Sequence, residues 1–151
     1  RIRVHGDYHL GQVLVKDDDF YILDFEGEPE STIRDRKVKQ PPLKDVAGLF
    51  RSFHYAIYAT IFNNINNYKA PQEDLFKAGE IFYRYITGLF LGTYVTETQN
   101  ANLNLGYNQE RLFILKYCLL EKAVYELGYE LNSRPQWAVI PLKGISNIIN
   151  H

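Results

Sequence analysis

Residues 4–27, VHGDYHLGQVLVKDDDFYILDFEG, form the stretch that decides the fold. Two glycines and several polar side chains predict a loop over 5–11, and the residues after it predict two short strands separated by an Asp-rich turn. Strand, turn and strand in this order are the pattern of a β-hairpin. Gln12 and Asp24 flank the hairpin, so we expect both side chains at its open end.

This stretch also brings two carboxylates and an amide within reach of one another. Asp7 and Gln12 are five residues apart, and Asp24 follows twelve residues later. Carboxylate and amide oxygens are suitable ligands for Mg²⁺ that is bound to phosphates. In phosphoryl transfer the protein contributes mainly the positioning of the reactants and the neutralisation of charge. A rigid hairpin holds such groups with little conformational loss. The arrangement favours metal-bound phosphate over packing, although Asp24 taken alone is equally typical of a turn cap.

The composition of the chain excludes several classes of protein. The chain has 151 residues, 46% of them hydrophobic, enough for one domain or one large lobe with a sizeable core. The formal net charge is −1, and acidic and basic residues are mixed along the chain. The sequence therefore gives no indication of a basic patch of the kind that binds nucleic acid or an anionic membrane. Charges interrupt every apolar run well before the roughly 18 residues of a membrane span. Cys118 lies in an apolar helical pattern, so we expect a buried, inert thiol and a cytoplasmic location.

The remaining pattern is mostly helical. Residues 26–42 are charged, contain proline and lack a period, which predicts a loop. Strands are predicted over 1–4, 13–15 and 20–25, three long helices over about 43–64, 71–96 and 109–132, and one or two short helices over 135–151.

The chain has no methionine and starts inside a predicted strand, so we expect a piece of a longer protein. A hairpin this small cannot stand alone, and its apolar face should rest on the helices.

Two charged residues near the start of the first long helix allow more than one interpretation. Asp45 lies in the first turn, where a carboxylate stabilises the helix dipole by about 0.3–1 kcal/mol. Arg51 either pairs with an acidic residue of the loop or is a solvated surface charge.

One face of the third long helix carries an amine, two phenols and a carboxylate at spacing i, i+3, i+4 and i+7: Lys122, Tyr125, Glu126 and Tyr129. Phenol rings stack on sugar rings, and charged tips hydrogen-bond to hydroxyl groups. The face therefore suits a neutral disaccharide. The alternative is a solvated helix face with an incidental Lys–Glu pair worth a few tenths of a kcal/mol. Glu130 and Arg134 follow a turn later as further candidates.

The hairpin stretch resembles the catalytic core of the kinase-like phosphotransferases, the group of aminoglycoside and choline kinases. Their pattern is H-x-D-x-x-x-x-N followed by D-F-G. Here HGDYHLGQ is followed by DFE, with Gln12 in place of the Asn and Glu26 in place of the Gly. These departures and the blocks YILDFEGEP, PLKDVAGLFRSFHYA and LLEKAVYELGYELNSRPQWAVIPLKGI resemble the maltokinases. The resemblance touches nearly the whole chain and is weakest from about Ile61 to Glu110.

The resemblance implies a fold that is mainly α with a small β-hairpin, the helical C-terminal lobe of the protein kinase-like fold. Residues 1–27 would be the catalytic and metal-binding hairpin, and residues 43–151 the helical substrate-binding part. The N-terminal nucleotide lobe, with its Gly-rich loop and Lys–Glu pair, would precede Arg1 and be absent from this chain.

The resemblance also implies roles for single residues. Asp7 would be the catalytic carboxylate, while Gln12 and Asp24 would bind Mg²⁺ and, with it, ATP. His5 and Asp45 would brace the loop. The maltose pocket would be lined by the polar helix face, Lys122, Tyr125, Glu126 and Tyr129.

The predicted function is therefore that of an ATP-dependent kinase that converts maltose to maltose 1-phosphate. Some maltokinases are fused behind a trehalose synthase, which would make such a domain a covalent partner. We expect the isolated 151 residues to be inactive.

Three alternatives remain open. The lobe is a catalytically silent carbohydrate-binding module of a trehalose-metabolising enzyme, or the kinase acts on another sugar, an aminoglycoside or an amino alcohol. Lys122 on the helix face argues against a cationic acceptor. The third alternative is a Zn²⁺ site formed by His5, Asp7 and His9, although no further Cys or His lies near them in sequence.

Overall fold

The computed structural model of the chain describes residues 1–27, 32–64, 67 and 69–150. A two-stranded hairpin stands at one end of a helical body, which confirms the predicted fold class. The strands are β1 (Val13–Lys16) and β2 (Asp19–Ile22), and the helices are α1 (Ile33–Lys37), α2 (Leu43–Asn64), α3 (Gln72–Asn100), α4 (Asn108–Ser133) and α5 (Val139–Asn150). Single turns of 3-10 helix, Leu10–Gln12 and Pro135–Trp137, precede β1 and α5.

Helix α2 lies at the centre of the helical body and packs against α3, α4 and α5. Its apolar residues recur at helical spacing, so one stripe faces the other helices. Leu115 and Cys118 of α4 complete a core whose α2 members are Leu43, Val46, Ala47 and Phe50. Burial raises the pKa of the Cys118 thiol to about 11, and the predicted buried thiol is confirmed.

The strands of the hairpin pair antiparallel, with Val13 opposite Ile22 and Lys16 opposite Asp19. Strand β2 ends at Ile22, whereas the sequence pattern predicted a strand to residue 25. The reason lies in Asp24, whose φ of 59° is left-handed and incompatible with a continuing strand. Aspartate is one of the few residues other than glycine that enter this region, because its short side chain hydrogen-bonds locally.

The prediction that the apolar face of the hairpin rests on the helices is wrong for the part of the chain that the structure describes. Leu14 and Tyr21, which are paired across the strands, are each more than half exposed. Val15 and Phe20 form the next pair and are 79% and 58% exposed. The hairpin is attached through its open end, because Leu23 N donates to Gln12 O at 2.8 Å and His5 packs against the residues that follow β2. Neither of its faces is covered by the residues that the structure describes.

Three element boundaries also differ from the sequence prediction. The predicted strand over 1–4 is reduced to an isolated bridge between Ile2 and Gln40, because no longer run of backbone pairs with it in the described residues. Helix α1 forms inside the predicted loop 26–42, where Thr32 Oγ1 accepts a hydrogen bond from Asp35 N at 3.2 Å and caps the helix. Residues 28–31 of that loop lie outside the described residues. Helix α3 continues to Asn100, past the predicted end at about 96.

None of the helices described combines the length and the apolar composition that crossing a bilayer requires.

Candidate active site

The loop that precedes the hairpin is held by the carboxylate of Asp45, at the start of α2. Asp45 Oδ2 accepts a hydrogen bond from His5 N at 2.7 Å, and Oδ1 accepts one from Gly6 N at 2.9 Å. Both oxygens therefore bind backbone, as expected of a residue that braces the loop. Helix α2 also comes very close to the loop, since a Cβ on Gly48 would lie 2.6 Å from Tyr8 O. Glycine at this position is what allows that approach.

His5 connects the loop to the far side of the hairpin. Its ring is buried, and Nδ1 accepts a hydrogen bond from Asp7 N at 3.3 Å. The proton therefore lies on Nε2, which donates to Leu23 O at 2.6 Å. The ring also packs against that of Phe25, with centroids 4.9 Å apart. His5 thus fixes the loop that carries Asp7 against the segment that carries Asp24.

The predicted meeting of Gln12 and Asp24 at the open end of the hairpin is observed. Gln12 Nε2 donates to Asp24 Oδ2 at 3.1 Å. A carboxylate and an amide oxygen are hard ligands of the kind that Mg²⁺ takes when phosphates and water complete its octahedron, so the pair fits this cation. A cation between the two side chains would require the amide to present Oε1, not Nε2, to the shared space.

A zinc site is not supported by the loop geometry. Both ring nitrogens of His5 are used for hydrogen bonds within the loop and at Leu23. Over the described residues, no group of three His, Cys, Asp or Glu side chains is arranged to hold a metal ion.

The carboxylate of Asp7 lies between two nitrogen donors. Oδ1 is 3.3 Å from Lys122 Nζ on α4, and Oδ2 is 3.7 Å from His9 Nε2 in the same loop. The contact with Lys122 spans 115 residues of sequence and joins the hairpin end of the molecule to the helix whose polar face was predicted to bind substrate.

The other members of that helix face divide into two groups. Glu126 accepts hydrogen bonds from Arg51 Nε at 3.1 Å and Arg51 Nη2 at 2.7 Å. Glu126 and Lys122 both line a pocket of about 340 Å³ between α2 and α4, beside the loop. Tyr125 and Tyr129 are 40% and 51% exposed and do not belong to the lining described for this pocket. Lys122 Nζ lies 5.1 Å above the ring of Tyr125, which places a cation over an aromatic face.

The structure corrects both interpretations of Arg51. Its side chain is only 2% exposed, so it is not a solvated charge, and its partner is Glu126 of a helix and not a loop residue. Helical spacing on α2 alone does not reveal this, because the partner lies 75 residues away.

A second polar cluster, which the sequence pattern indicated only in part, lies one helical turn further along the same helices. Tyr55 OH donates to Glu130, and Arg134 Nη2 donates to Glu130 Oε1 at 2.7 Å. The rings of Tyr55 and Trp137 stack at 5.9 Å, and the Arg134 guanidinium lies 5.1 Å over Trp137. Burial and the hydrogen bond to Glu130 raise the pKa of Tyr55, so its hydroxyl stays protonated. The i, i+4 step from Arg51 to Tyr55 and from Glu126 to Glu130 was the available signal.

Comparison with known proteins shows that the chain is similar to glucosamine kinases. No protein-family model matches the chain. A glucosamine kinase of Streptacidiphilus jiangxiensis is 26% identical over 148 residues, 98% of this chain and 32% of that protein. A glucosamine kinase of Mycolicibacterium smegmatis is 27% identical over 138 residues, 91% of this chain and 32% of that protein.

Solved structures of glucosamine kinase have the same fold over almost the whole chain. One crystal form superposes with a TM-score of 0.80 at 22% identity, covering 97% of this chain and 33% of that one. A complex with glucosamine, ADP and inorganic phosphate gives a TM-score of 0.76 at 23% identity, covering 97% and 34%. The chain thus spans about a third of the length of these relatives. They are sugar kinases, and the finer resemblance to maltokinases is not shown by them.

Proposed function

We propose that the whole protein to which this chain belongs is an ATP-dependent sugar kinase, and that this chain is the lobe that binds the acceptor sugar. The observation that carries the proposal is the connected set of side chains at the hairpin. Asp7, Gln12 and Asp24 are held by one braced loop and one hairpin end, and Lys122 reaches Asp7 from α4. The similarity to glucosamine kinases supports the same class of reaction.

In this proposal each residue of the chain has a defined task. Asp7 receives the acceptor hydroxyl and orients it toward the phosphate. Gln12 and Asp24 hold Mg²⁺, which supplies charge neutralisation for the phosphoryl group. Asp45 and His5 keep these groups in register, because Asp45 fixes the backbone that precedes Asp7 and His5 fixes the carbonyl group of Leu23, next to Asp24.

The acceptor that we favour is an aminosugar such as glucosamine, in place of the maltose predicted from sequence. The argument against a cationic acceptor was the charge of Lys122, and that charge faces the carboxylate of Asp7 at 3.3 Å. The relatives named above are kinases of glucosamine.

The test is a panel of substrates given to the whole protein with ATP and Mg²⁺, in which the rate of ADP release is measured for each substrate. Glucosamine, N-acetylglucosamine, glucose, maltose and choline separate the acceptor classes, and N-acetylglucosamine differs from glucosamine only by blocking the amine. We expect the highest kcat/KM for glucosamine. A higher kcat/KM for maltose would overturn the choice of acceptor, and no turnover with any sugar would overturn the kinase proposal.

The role of Asp7 is tested in the same assay with Asp7→Asn. We expect kcat to fall by about 10²–10⁴-fold, because the amide cannot accept the hydroxyl proton. Asp74→Asn makes the same change at an exposed position in the first turn of α3 and should leave kcat unchanged. Full activity of Asp7→Asn would show that the assignment of Asp7 as the catalytic carboxylate is wrong.

A further inference from the structure

His9 lines the pocket beside the loop and belongs to the same loop as Asp7. Its Nδ1 accepts a hydrogen bond from Gly11 N at 3.0 Å. An imidazole nitrogen that accepts a hydrogen bond carries no proton, so the neutral ring has its proton on Nε2. Nε2 is the atom that faces Asp7 Oδ2, at 3.7 Å. The loop therefore selects the tautomer of His9 that turns an N–H group toward the carboxylate.

The position of the ring is fixed by Gly11 as well as by its hydrogen bond. A Cβ on Gly11 would lie 2.8 Å from His9 Cε1 and 2.9 Å from His9 Nδ1. Real Cβ atoms do not approach other atoms so closely, and the ring thus lies directly on the glycine backbone. The sequence His9-Leu10-Gly11 provides both the donor that sets the tautomer and the space that the ring occupies.

The two carboxylate oxygens of Asp7 face nitrogen atoms from two different parts of the fold. Lys122 Nζ of α4 is near Oδ1, and His9 Nε2 of the loop is near Oδ2. Two donors on two different oxygens define the plane of a carboxylate, and each oxygen keeps a lone pair for a further hydrogen bond. The distance of 3.7 Å to His9 is longer than a formed hydrogen bond. Contacts of this kind often tighten when the substrate binds.

We propose that His9 is a positioning residue, which presents Nε2–H to Asp7 Oδ2 and, together with Lys122, sets the plane of the carboxylate that receives the acceptor hydroxyl. This inference rests on the proposed kinase function. His9 itself transfers no proton and contacts no phosphate in this role. It acts on the acceptor hydroxyl only through Asp7.

A purely structural role for His9 is the competing explanation, because its side chain also caps the turn Leu10–Gln12. The two roles use different ring nitrogens and can be separated. His9→Asn keeps an oxygen that can accept the Gly11 N–H, since asparagine is a good N-cap residue, but it removes the group at the position of Nε2. His9→Gln places an amide nitrogen near the position of Nε2 but loses the hydrogen bond from Gly11 N that caps the turn.

The experiment compares these variants in the whole protein. For His9→Asn we expect an unchanged midpoint of denaturation and a fall in kcat of about 10- to 100-fold, which is typical of a misplaced reacting group. The KM for ATP should stay unchanged. His9→Gln should recover part of the lost kcat in spite of the weaker turn. Wild-type kcat in His9→Asn would show that the cap is the only role and would overturn the proposal.

A second measurement is independent of activity. In protein labelled with ¹⁵N-histidine, the His9 signal, identified by its loss in His9→Asn, should report a proton on Nε2 and should shift in Asp7→Asn. A proton on Nδ1, or no shift in Asp7→Asn, overturns the His9–Asp7 contact even if the enzyme is fully active. Absence of sugar phosphorylation in the wild-type protein would instead count against the kinase, while the ¹⁵N signals would still decide the contact.

Discussion

A single carboxylate, that of Asp45, accepts two backbone hydrogen bonds from the loop that carries Asp7. In Asp45→Asn one of the two N–H groups must face an amide NH₂, and a buried donor loses its acceptor. We expect the free energy of unfolding to fall by about 1–3 kcal/mol, measured by urea denaturation. Asp74→Asn is the matched control, because Asp74 also lies in the first turn of a helix but is exposed. Equal losses in both variants would indicate that Asp45 acts only on the helix dipole.

Contacts between residues that lie close together along the chain could be predicted from the sequence, whereas contacts between distant helices could not. Asp7, Gln12 and Asp24 fall within one short stretch, so strand pairing predicts that Gln12 and Asp24 lie at the same open end of the hairpin. Arg51 and Glu126 are 75 residues apart, and their pairing depends on which faces of α2 and α4 pack together. Periodicity gives the face of each helix but not its rotation against a neighbour, and for this reason the cluster around Tyr55 was found only in part.

The ion pair between Arg51 and Glu126 connects the two central helices, α2 and α4. Arg51 is almost fully buried, and Glu126 is its charge partner. Glu126→Gln leaves a buried guanidinium without compensation, so we expect a loss on the order of 3 kcal/mol in the free energy of unfolding. Glu73→Gln makes the same change in the exposed pair Glu73–Lys77 and should cost no more than about 0.5 kcal/mol. Similar losses in the two variants would contradict a stabilising role of the buried pair.

His54 makes the packing of α2 against α3 sensitive to acid. Both ring nitrogens are buried and lack a hydrogen-bond partner among the described residues. Burial lowers the pKa of His54 to about 3, and the charges of Arg51 and Lys143 act in the same direction. The unfolded chain binds the proton near pH 6.5. Between pH 6.5 and 3 the unfolded state therefore holds more protons than the folded state, and stability falls as the pH falls.

We expect this histidine to contribute about 1–2 kcal/mol to the loss of stability between pH 7 and pH 5. His54→Phe and His54→Gln cannot titrate in this range. The measurement is the difference between unfolding free energies at pH 7 and pH 5, which should be smaller in both variants than in the parent protein. An unchanged difference in both would show that His54 takes up a proton equally well in the folded and unfolded states.

The long helices were predictable as elements because their apolar stripes are continuous. The prediction for α2 matched the observed helix, residues 43–64. Helix α3 was predicted too short, because Glu97, Thr98 and Gln99 are polar, and polarity alone does not end a helix. It ends instead near Asn102, which has a left-handed φ of 57°. Helix α1 was missed because its five residues carry four charges and no apolar period.

At the scale of the whole molecule, the chain spans about a third of the length of the glucosamine kinases that it matches. We therefore expect the isolated chain to show no sugar phosphorylation with ATP and Mg²⁺, since the described residues include no Gly-rich phosphate loop. Measurable product from the isolated chain would refute this expectation. The division into lobes remains a prediction.

The exposed apolar side chains of the hairpin also indicate that another part of the whole protein packs against this chain. Val15 and Phe20 form a cross-strand apolar pair that water reaches in this chain. Burying a side chain such as that of Phe contributes about 1.5–3 kcal/mol, and we expect the remainder of the whole protein to cover this pair. Val15→Thr combined with Phe20→Thr should then raise the solubility of the isolated chain and lower the stability of the whole protein. Ile149→Thr, an exposed apolar residue at the end of α5, is the control. If the whole protein carrying both hairpin substitutions is as stable as its parent, this face of the hairpin is in contact with water in the complete protein as well.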